Sequence, residues 1–285
     1  MKILLIADVH NRPLKNDKSI KSKIHNFAKR KTLKDIKWAI DNIDNDLIVF
    51  LGDTVHGPDF QGIESEYEQC LREVLDLTLD SKFAYVFGNH DDECDVTKEE
   101  ILSIVDSYPN SVTNGRDYLV EMMDESLLFL DSGSYYDGEG SYYDTVKEEQ
   151  IRLAEEKLEG KQGIVFQHII VPDIMDLVEV SDKKLHESVR DGKKYYRLKP
   201  ELYYFGVLGE KPCPPDINTG ELDRLSHCVK AMCFGHDHKN SFELNYKDVQ
   251  FIQCAGASYN SYDKFLHSSV KLLDTQTLEA CQIYM

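Results

Sequence analysis

Short, continuous apolar runs alternate along the chain with longer stretches in which apolar residues recur every three or four positions. Residues 3–6, 47–51 and 83–87 are runs bounded by polar residues, the pattern of strands covered on both faces. Between the first two, Leu33, Ile36, Ala39, Ile40 and Ile43 fall at helical spacing and predict a helix over 32–43, approached through a lysine-rich stretch at 15–34. Leu71, Val74, Leu75 and Leu79 predict a second helix over 64–79, and a third follows at 98–105. Apolar strands alternating with helices predict a largely parallel sheet buried on both faces.

The second half reads differently. Residues 118–122 and 127–130 predict two strands around the turn-like Asp124-Glu125. A tyrosine- and glycine-rich loop at 135–143 leads to a helix over 145–158 and a strand over 164–167. From 171 to 220, where Pro172, Pro200, Pro212, Pro214 and Pro215 lie, the only element to suggest itself is a short one at 183–189. A loop that long inside a domain is either functional or mis-assigned. Strands return at 231–234, 241–244, 249–254, 269–273 and 280–284. With no repeat and no linker, residues 1–285 read as one domain.

Composition narrows the partners. The 285 residues carry 33 basic and 51 acidic side chains, a net charge of −18, whereas a polynucleotide binder shows a basic excess. The same acidity weighs against an anionic membrane as partner. No apolar run is long enough to span a bilayer. The run at 3–7 is broken by Asp8 and His10 with no small-residue cleavage site behind it, and so reads as a first strand rather than a signal peptide. Seven cysteines without a C-x-x-C pair, and no Asn-x-Ser/Thr sequon, predict a reduced, cytoplasmic protein.

Five small clusters fall where apolar strands end: Asp8-Val9-His10, Gly52-Asp53, Gly88-Asn89-His90-Asp91, His168, and Gly235-His236-Asp237-His238. Ligands of open α/β sheets collect beyond the carboxyl ends of strands, so loops from several strands can bring these groups to one point. Carboxylate, amide oxygen and imidazole together suit a borderline divalent metal such as zinc, manganese or iron. Seven such ligands, Asp8, His10, Asp53, Asn89, His168, His236 and His238, are too many for one ion; a single bridging carboxylate divides them into two sets of four. Alone, a D-x-H or a single His168 carries little weight; in order and at strand ends, the set is no coincidence. His25, His186, His227 and His267 fall outside the clusters and read as ordinary residues, and Cys94 as a half-buried structural thiol.

D-x-H, G-D, G-N-H-D, a lone His and G-H-x-H in that order resemble the calcineurin-like metallophosphoesterase superfamily, over Asp8 to His238. More loosely, residues 206–222 with Gly235-His236-Asp237-His238-Lys239-Asn240 resemble the short purple-acid-phosphatase-like proteins of the Dcr type. The resemblance implies a four-layer α/β/β/α sandwich of two mixed sheets flanked by helices, with two metal ions (manganese, iron or zinc) between the sheets. It implies that Asp8, His10, Asp53 and His238 hold one ion and that Asp53, Asn89, His168 and His236 hold the other, Asp53 bridging. A hydroxide shared by the ions then attacks phosphorus, with His90 as general acid and Asn89 reaching the phosphate. The residues at 171–222 are expected to wall this site.

Departures from the pattern narrow the reading further. Thr54-Val55-His56-Gly57 stands where the Ser/Thr protein phosphatases carry Asp-Arg, and His56 where large purple acid phosphatases carry a ligating tyrosine. Neither protein-phosphatase kinship nor an iron–tyrosinate chromophore is therefore expected. His56 either orients His90, lines the substrate pocket or plays a structural part, and no carboxylate stands at the usual offset to orient His90. Arg12 and His56 are the candidate substrate contacts. The expected activity is hydrolysis of a phosphomonoester on a small molecule or phosphoprotein. Its alternatives are a phosphodiesterase acting on a cyclic nucleotide or other small diester, and a non-catalytic metal-binding scaffold.

Overall fold

The computed structural model describes residues 1–140, 142–260 and 268–285. Three of the apolar runs become parallel neighbours: β1 (Lys2–Ile6), β2 (Leu47–Leu51) and β3 (Phe83–Val86). β14 (Ser269–Asp274) adds antiparallel to β1 and β15 (Ala280–Tyr284) antiparallel to β14, giving the order β15-β14-β1-β2-β3. A second sheet is built from β4 (Tyr118–Met122), β5 (Glu125–Phe129), β6 (Gly163–Phe166), β10 (Tyr204–Val207), β11 (Val229–Phe234), β12 (Ser241–Tyr246) and β13 (Val249–Gln253). Its order is β10-β12-β13-β11-β6-β5-β4, with β5, β6, β11 and β13 parallel and the edges antiparallel. Both sheets are therefore mixed: the parallel strands form the centre of the second, and in the first they run from the middle strand β1 to the β3 edge.

The twofold period of a strand sorts its side chains between layers. Ile3, Leu5, Val49 and Leu51 point into a core shared with Leu127, Phe129, Ile164, Phe166, Ala231 and Cys233 of the facing sheet. Leu4, Ile6, Ile48 and Phe50 point the other way, onto α1 (Ile20–Asn42), α2 (Glu64–Leu75) and α3 (Lys98–Asp106). On the far side, Leu128, Val165, Met232 and Phe234 meet α4 (Glu148–Lys157) and α5 (Glu221–Leu225). The result is the expected α/β/β/α sandwich, in which continuous apolar strands are those with a core on each face.

Two expectations from the pattern are corrected. The first helix begins at Ile20 rather than near residue 32, capped by Ser19, whose side chain accepts from Ser22 N. Its inward positions over the first turns are Ser22, Ala28, Lys29 and Thr32, which leave no apolar period to read. Lys29 is buried there because its Nζ meets Glu73 Oε2 at 2.6 Å. The second correction concerns 171–220. That segment contains a 3-10 turn at Pro172–Leu177 and a small sheet of β7 (Val178–Ser181), β9 (Lys194–Leu198) and β8 (Val189–Asp191), in that order. The short element expected at 183–189 is instead the connection from β7 to β8, which spans 182–188, with Val189 beginning β8. The sheet shows little apolar alternation because it is half-exposed; it meets the core mainly through Val178, Leu198 and the partly buried Tyr196, beside Ile174 and Leu177 of the preceding turn.

Among the described residues no helix is long and apolar enough to cross a membrane. None of the seven cysteines forms a disulfide, and Cys94 is half-buried against the core that α2 and α3 cover. His25 reaches Pro13 O at 3.0 Å, His186 and His227 are exposed, and His267 lies outside the described residues.

Candidate metal centre

The carboxyl ends of β1, β2, β3, β6 and β11 open on one rim, and the polar clusters lie in the loops that leave them. Backbone hydrogen bonds stitch these loops together. Asp8 N donates to Gly52 O at 3.1 Å, His10 N to Asp53 O at 2.8 Å, Gly235 N to His168 O at 2.9 Å and Gly256 N to His238 O at 3.0 Å. Asp91, the last residue of G-N-H-D, is fully buried, and its carboxylate accepts from Asp53 N, Val55 N and Gly88 N at 3.0, 3.0 and 2.8 Å. It thus ties the second loop to the third. Burial, followed by the nearby charge of Asp53, pushes the Asp91 carboxyl up to about 7.

Close approach explains two glycines. A Cβ on Gly88 would stand 2.2 Å from Asp53 N and from its Oδ1. One on Gly52, whose φ is +82°, would stand 2.4 Å from His168 Nδ1. Four of the polar residues themselves adopt left-handed backbone: Asp8 (φ 52°), His10 (φ 44°), Asp53 (φ 51°) and His236 (φ 70°). For residues with a Cβ this costs of order 1 kcal/mol each. The stitched loops sustain that strain where it aims the side chains at one another.

The side chains converge as two groups that share Asp53. In the first, Asp8, His10, Asp53 and His238 bring one candidate ligand atom each within 4.8 Å of one another; in the second, Asp53, His168 and His236 do the same, and all six residues are buried. His10 Nε2 lies 3.0 Å from His238 Nε2 and 3.6 Å from Asp53 Oδ2, and His238 Nε2 lies 3.4 Å from Asp8 Oδ1. His168 Nε2 lies 3.3 Å from Asp53 Oδ2 and 3.2 Å from Asn89 Oδ1, which brings the amide to the second group. His168 Nδ1 donates to Leu51 O at 2.7 Å, an arrangement that leaves Nε2 as the ligating atom. His236 Nε2 is buried without a hydrogen bond. Imidazole nitrogens at 3.0 Å, an orphaned ring nitrogen and a shared carboxylate form a donor set that a cation satisfies, so these residues fit a pair of divalent ions.

The electrostatics agree. Burial opposes charge on Asp53, yet His168 and then His10 hold its carboxyl well below the usual range. Burial also opposes charge on His168, but Asp53 outweighs it and raises the imidazole to about 10. Burial drives His10 and His236 well below the ordinary histidine value. The bare protein therefore keeps Asp53 ionised beside a protonated His168, whose proton occupies a position a cation would take.

His90 stands at the edge of this cluster, half-exposed, its ring 5.3 Å from that of His10. Its Nδ1 lies 2.5 Å from Glu93 Oε2. This supplies the partner that the sequence left open, no carboxylate standing at the usual offset: it comes from His90's own loop, three residues downstream. The turn at 90–93 that returns Glu93 to the ring is what linear spacing did not reveal. Tyr135 was also missed; its hydroxyl lies 3.2 Å from Asn89 Nδ2 and 3.4 Å from Glu93 Oε2, and Tyr143 packs edge-on against His236 at 4.5 Å.

The two candidate substrate contacts fall differently. His56 Nδ1 lies 3.3 Å from His10 Nδ1 and its ring 4.8 Å from that of His90, so it packs against both; burial and then the charge of Arg12 lower it to about 3. Arg12 is half-buried and spends its charge on Asp59, 3.3 Å away. Opposite, Gly209 N and Glu210 N donate to Asn240 Oδ1 and Cys213 N to Asp237 Oδ1, so the irregular part of 171–222 rests on the loop of His236 and His238.

Comparison with known proteins bears on this constellation. The model of the calcineurin-like phosphoesterase family matches residues 1–240. A protein of Arabidopsis thaliana named "Probable inactive purple acid phosphatase 14" is 26% identical over 261 residues, covering 76% of this chain and 59% of the relative. The Saccharomyces cerevisiae protein named "Phosphatase DCR2" is 28% identical over 279 residues, covering 85% of this chain and 45% of the relative. The chain thus spans about half the length of these relatives. A solved dimetal phosphatase from Danio rerio superposes with a TM-score of 0.60 at 14% identity, over 95% of this chain and 91% of that one, a likeness of fold.

Proposed function

The chain belongs to the calcineurin-like phosphoesterase family, and from that premise we propose that it is a two-metal phosphomonoesterase. In this reading Asp8, His10, Asp53 and His238 hold one ion, Asp53, Asn89, His168 and His236 hold the other, and manganese, iron or zinc serves. When bound, such a pair supplies water of lowered pKa and positive charge opposite the phosphoryl oxygens. The residues do the rest. Asp53 would serve both ions, and its Oδ1 accepts from the His90 N–H at 2.8 Å. Asn89 turns its Oδ1 toward the second group and its Nδ2 toward Tyr135. His90 donates Nδ1–H to Glu93 and carries its second proton on Nε2, which it gives to the leaving oxygen.

The observation that carries this reading is the pairing of a buried, Asp53-centred ligand cluster with a half-exposed His90 held by a carboxylate. A scaffold that only bound metal has no use for an oriented acid at the rim. The name of the yeast relative, Phosphatase DCR2, favours a phosphatase, whereas the word inactive in the Arabidopsis name is the reason to keep the scaffold as the alternative. The physiological substrate is then a phosphomonoester on a small molecule or protein.

The test is turnover of the protein reconstituted with manganese, iron or zinc, on an aryl phosphate monoester and the matching bis-aryl diester. The expected result is preference for the monoester, with turnover of an unactivated ester such as phenyl phosphate, whose leaving oxygen needs the proton, falling sharply in His90→Ala. Preference for the diester would make the protein a phosphodiesterase, and no turnover with metals bound would make it a scaffold.

A further inference from the structure

The net charge of −18 hides a local reversal. Residues 15–34 hold eight of the 33 basic side chains and one of the 51 acidic ones, a net +7 against −25 for the rest of the chain. The structure winds most of this segment into α1 and buries Ala28, Thr32, Ile36 and Ala39 on its inner face. Ile20, Ile24, Phe27, Lys31, Lys34 and Trp38 follow at i, i+4, i+7, i+11, i+14 and i+18, one stripe on the outward face. Its apolar members are open: Ile20 is 75% exposed, Ile24 51%, Phe27 59% and Trp38 53%. Lys23, Arg30 and Lys37 flank the stripe at the same helical spacing. Lys31 and Lys37 are paired with Asp35 and Asp41, whereas the exposed Lys18, Lys21, Lys23, Arg30 and Lys34 make no ion pair among the described residues.

From this we propose that the outer face of α1 docks on an anionic phospholipid bilayer. The bilayer interface takes both halves of the stripe at once, apolar side chains at the headgroup boundary and ammonium or guanidinium groups on the phosphates. A polynucleotide would use the charges and leave Ile20, Ile24 and Phe27 in water. A groove that engulfs a helix is excluded by the inner face, which is committed to the sheet core. The acidity of the rest of the chain does not cancel the effect, because charges farther than about 8 Å from the membrane are largely screened at physiological salt.

Trp38, the single tryptophan of the chain, lies in the stripe and reports on it. The experiment titrates the whole protein with vesicles of phosphatidylcholine alone and with 30% phosphatidylserine, following Trp38 emission and co-sedimentation. Expected are a blue shift and sedimentation with the anionic vesicles alone, both falling steeply as salt is raised. Each basic side chain contributes roughly fivefold in partitioning, so Lys23→Glu/Arg30→Glu/Lys34→Glu is expected to weaken binding at least about 100-fold. Ile24→Ser/Phe27→Ser removes the apolar half and is expected to weaken it about tenfold. Neither variant touches the metal centre, so turnover of a soluble aryl phosphate stays unchanged. Binding that is absent, indifferent to lipid charge or unmoved by the triple variant overturns the proposal. So does a salt-sensitive self-association that the triple variant abolishes, or binding to an RNA oligomer in place of vesicles; these would assign the face to a second copy or to nucleic acid.

Discussion

Replacing Glu93 by glutamine removes the charge that holds His90 while keeping the size of the side chain. The bond it weakens is short, 2.5 Å between His90 Nδ1 and Glu93 Oε2. A hydrogen bond to a charged partner contributes about 1.5–3 kcal/mol. Side-chain exposures of 26% and 34% for the pair place the value near the lower end, because water screens it. If the contact acts through the imidazolium that protonates the leaving oxygen, about 1.5 kcal/mol is lost from the transition state, roughly tenfold in kcat. That loss depends on the substrate. An alkyl phosphate needs the proton and should show the full effect, whereas a nitrophenyl phosphate, whose leaving group departs as an anion, should lose threefold or less. The assay is steady-state kinetics of wild type and Glu93→Gln on both esters with KM resolved from kcat. Equal losses on the two esters, or a change confined to KM, would refute the argument that Glu93 works through His90.

Two further expectations follow from buried groups. Burial pushes Glu221 up to about 8, so between roughly pH 4.5 and 8 the folded chain binds a proton that the unfolded chain has released, and stability falls as pH rises through that window. Glu221→Gln removes the penalty: denaturant unfolding should show no gain at pH 4.5 and a gain of up to about 4 kcal/mol at pH 8, and parallel stability curves would contradict it. Metal uptake should release protons, because Asp53, outweighing burial, holds His168 at about 10 in the bare protein. Calorimetry in buffers of different ionisation heat should find at least one proton released per chain at pH 7 and affinity still rising toward pH 9; buffer-independent heats would contradict the assignment.

The chemistry of this protein is legible in the sequence where it follows strand ends. Asp8, His10, Asp53, Asn89, His168, His236 and His238 are recognisable because continuous apolar runs mark the strands and the polar clusters mark where they stop. Contacts that depend on how a loop folds back are not legible in this way. Glu93 reaches His90 only through the turn at 90–93, and Tyr135 reaches Asn89 from a loop between distant elements. α1 was foreshortened because small and polar residues fill its inner face, and the sheet of β7, β8 and β9 was missed because it is half-exposed. A summed net charge likewise conceals the basic face of α1, since the sum carries no position.

In the proposed centre one carboxylate, Asp53, would serve both metal ions. The measurement that tests it most directly is metal content per chain after reconstitution and removal of free ions, for wild type and Asp53→Asn. Two ions are expected in the wild type and fewer than one in the variant, with turnover lost alongside, because both ligand groups include Asp53. One ion per chain in the wild type, or two retained by Asp53→Asn, would contradict it.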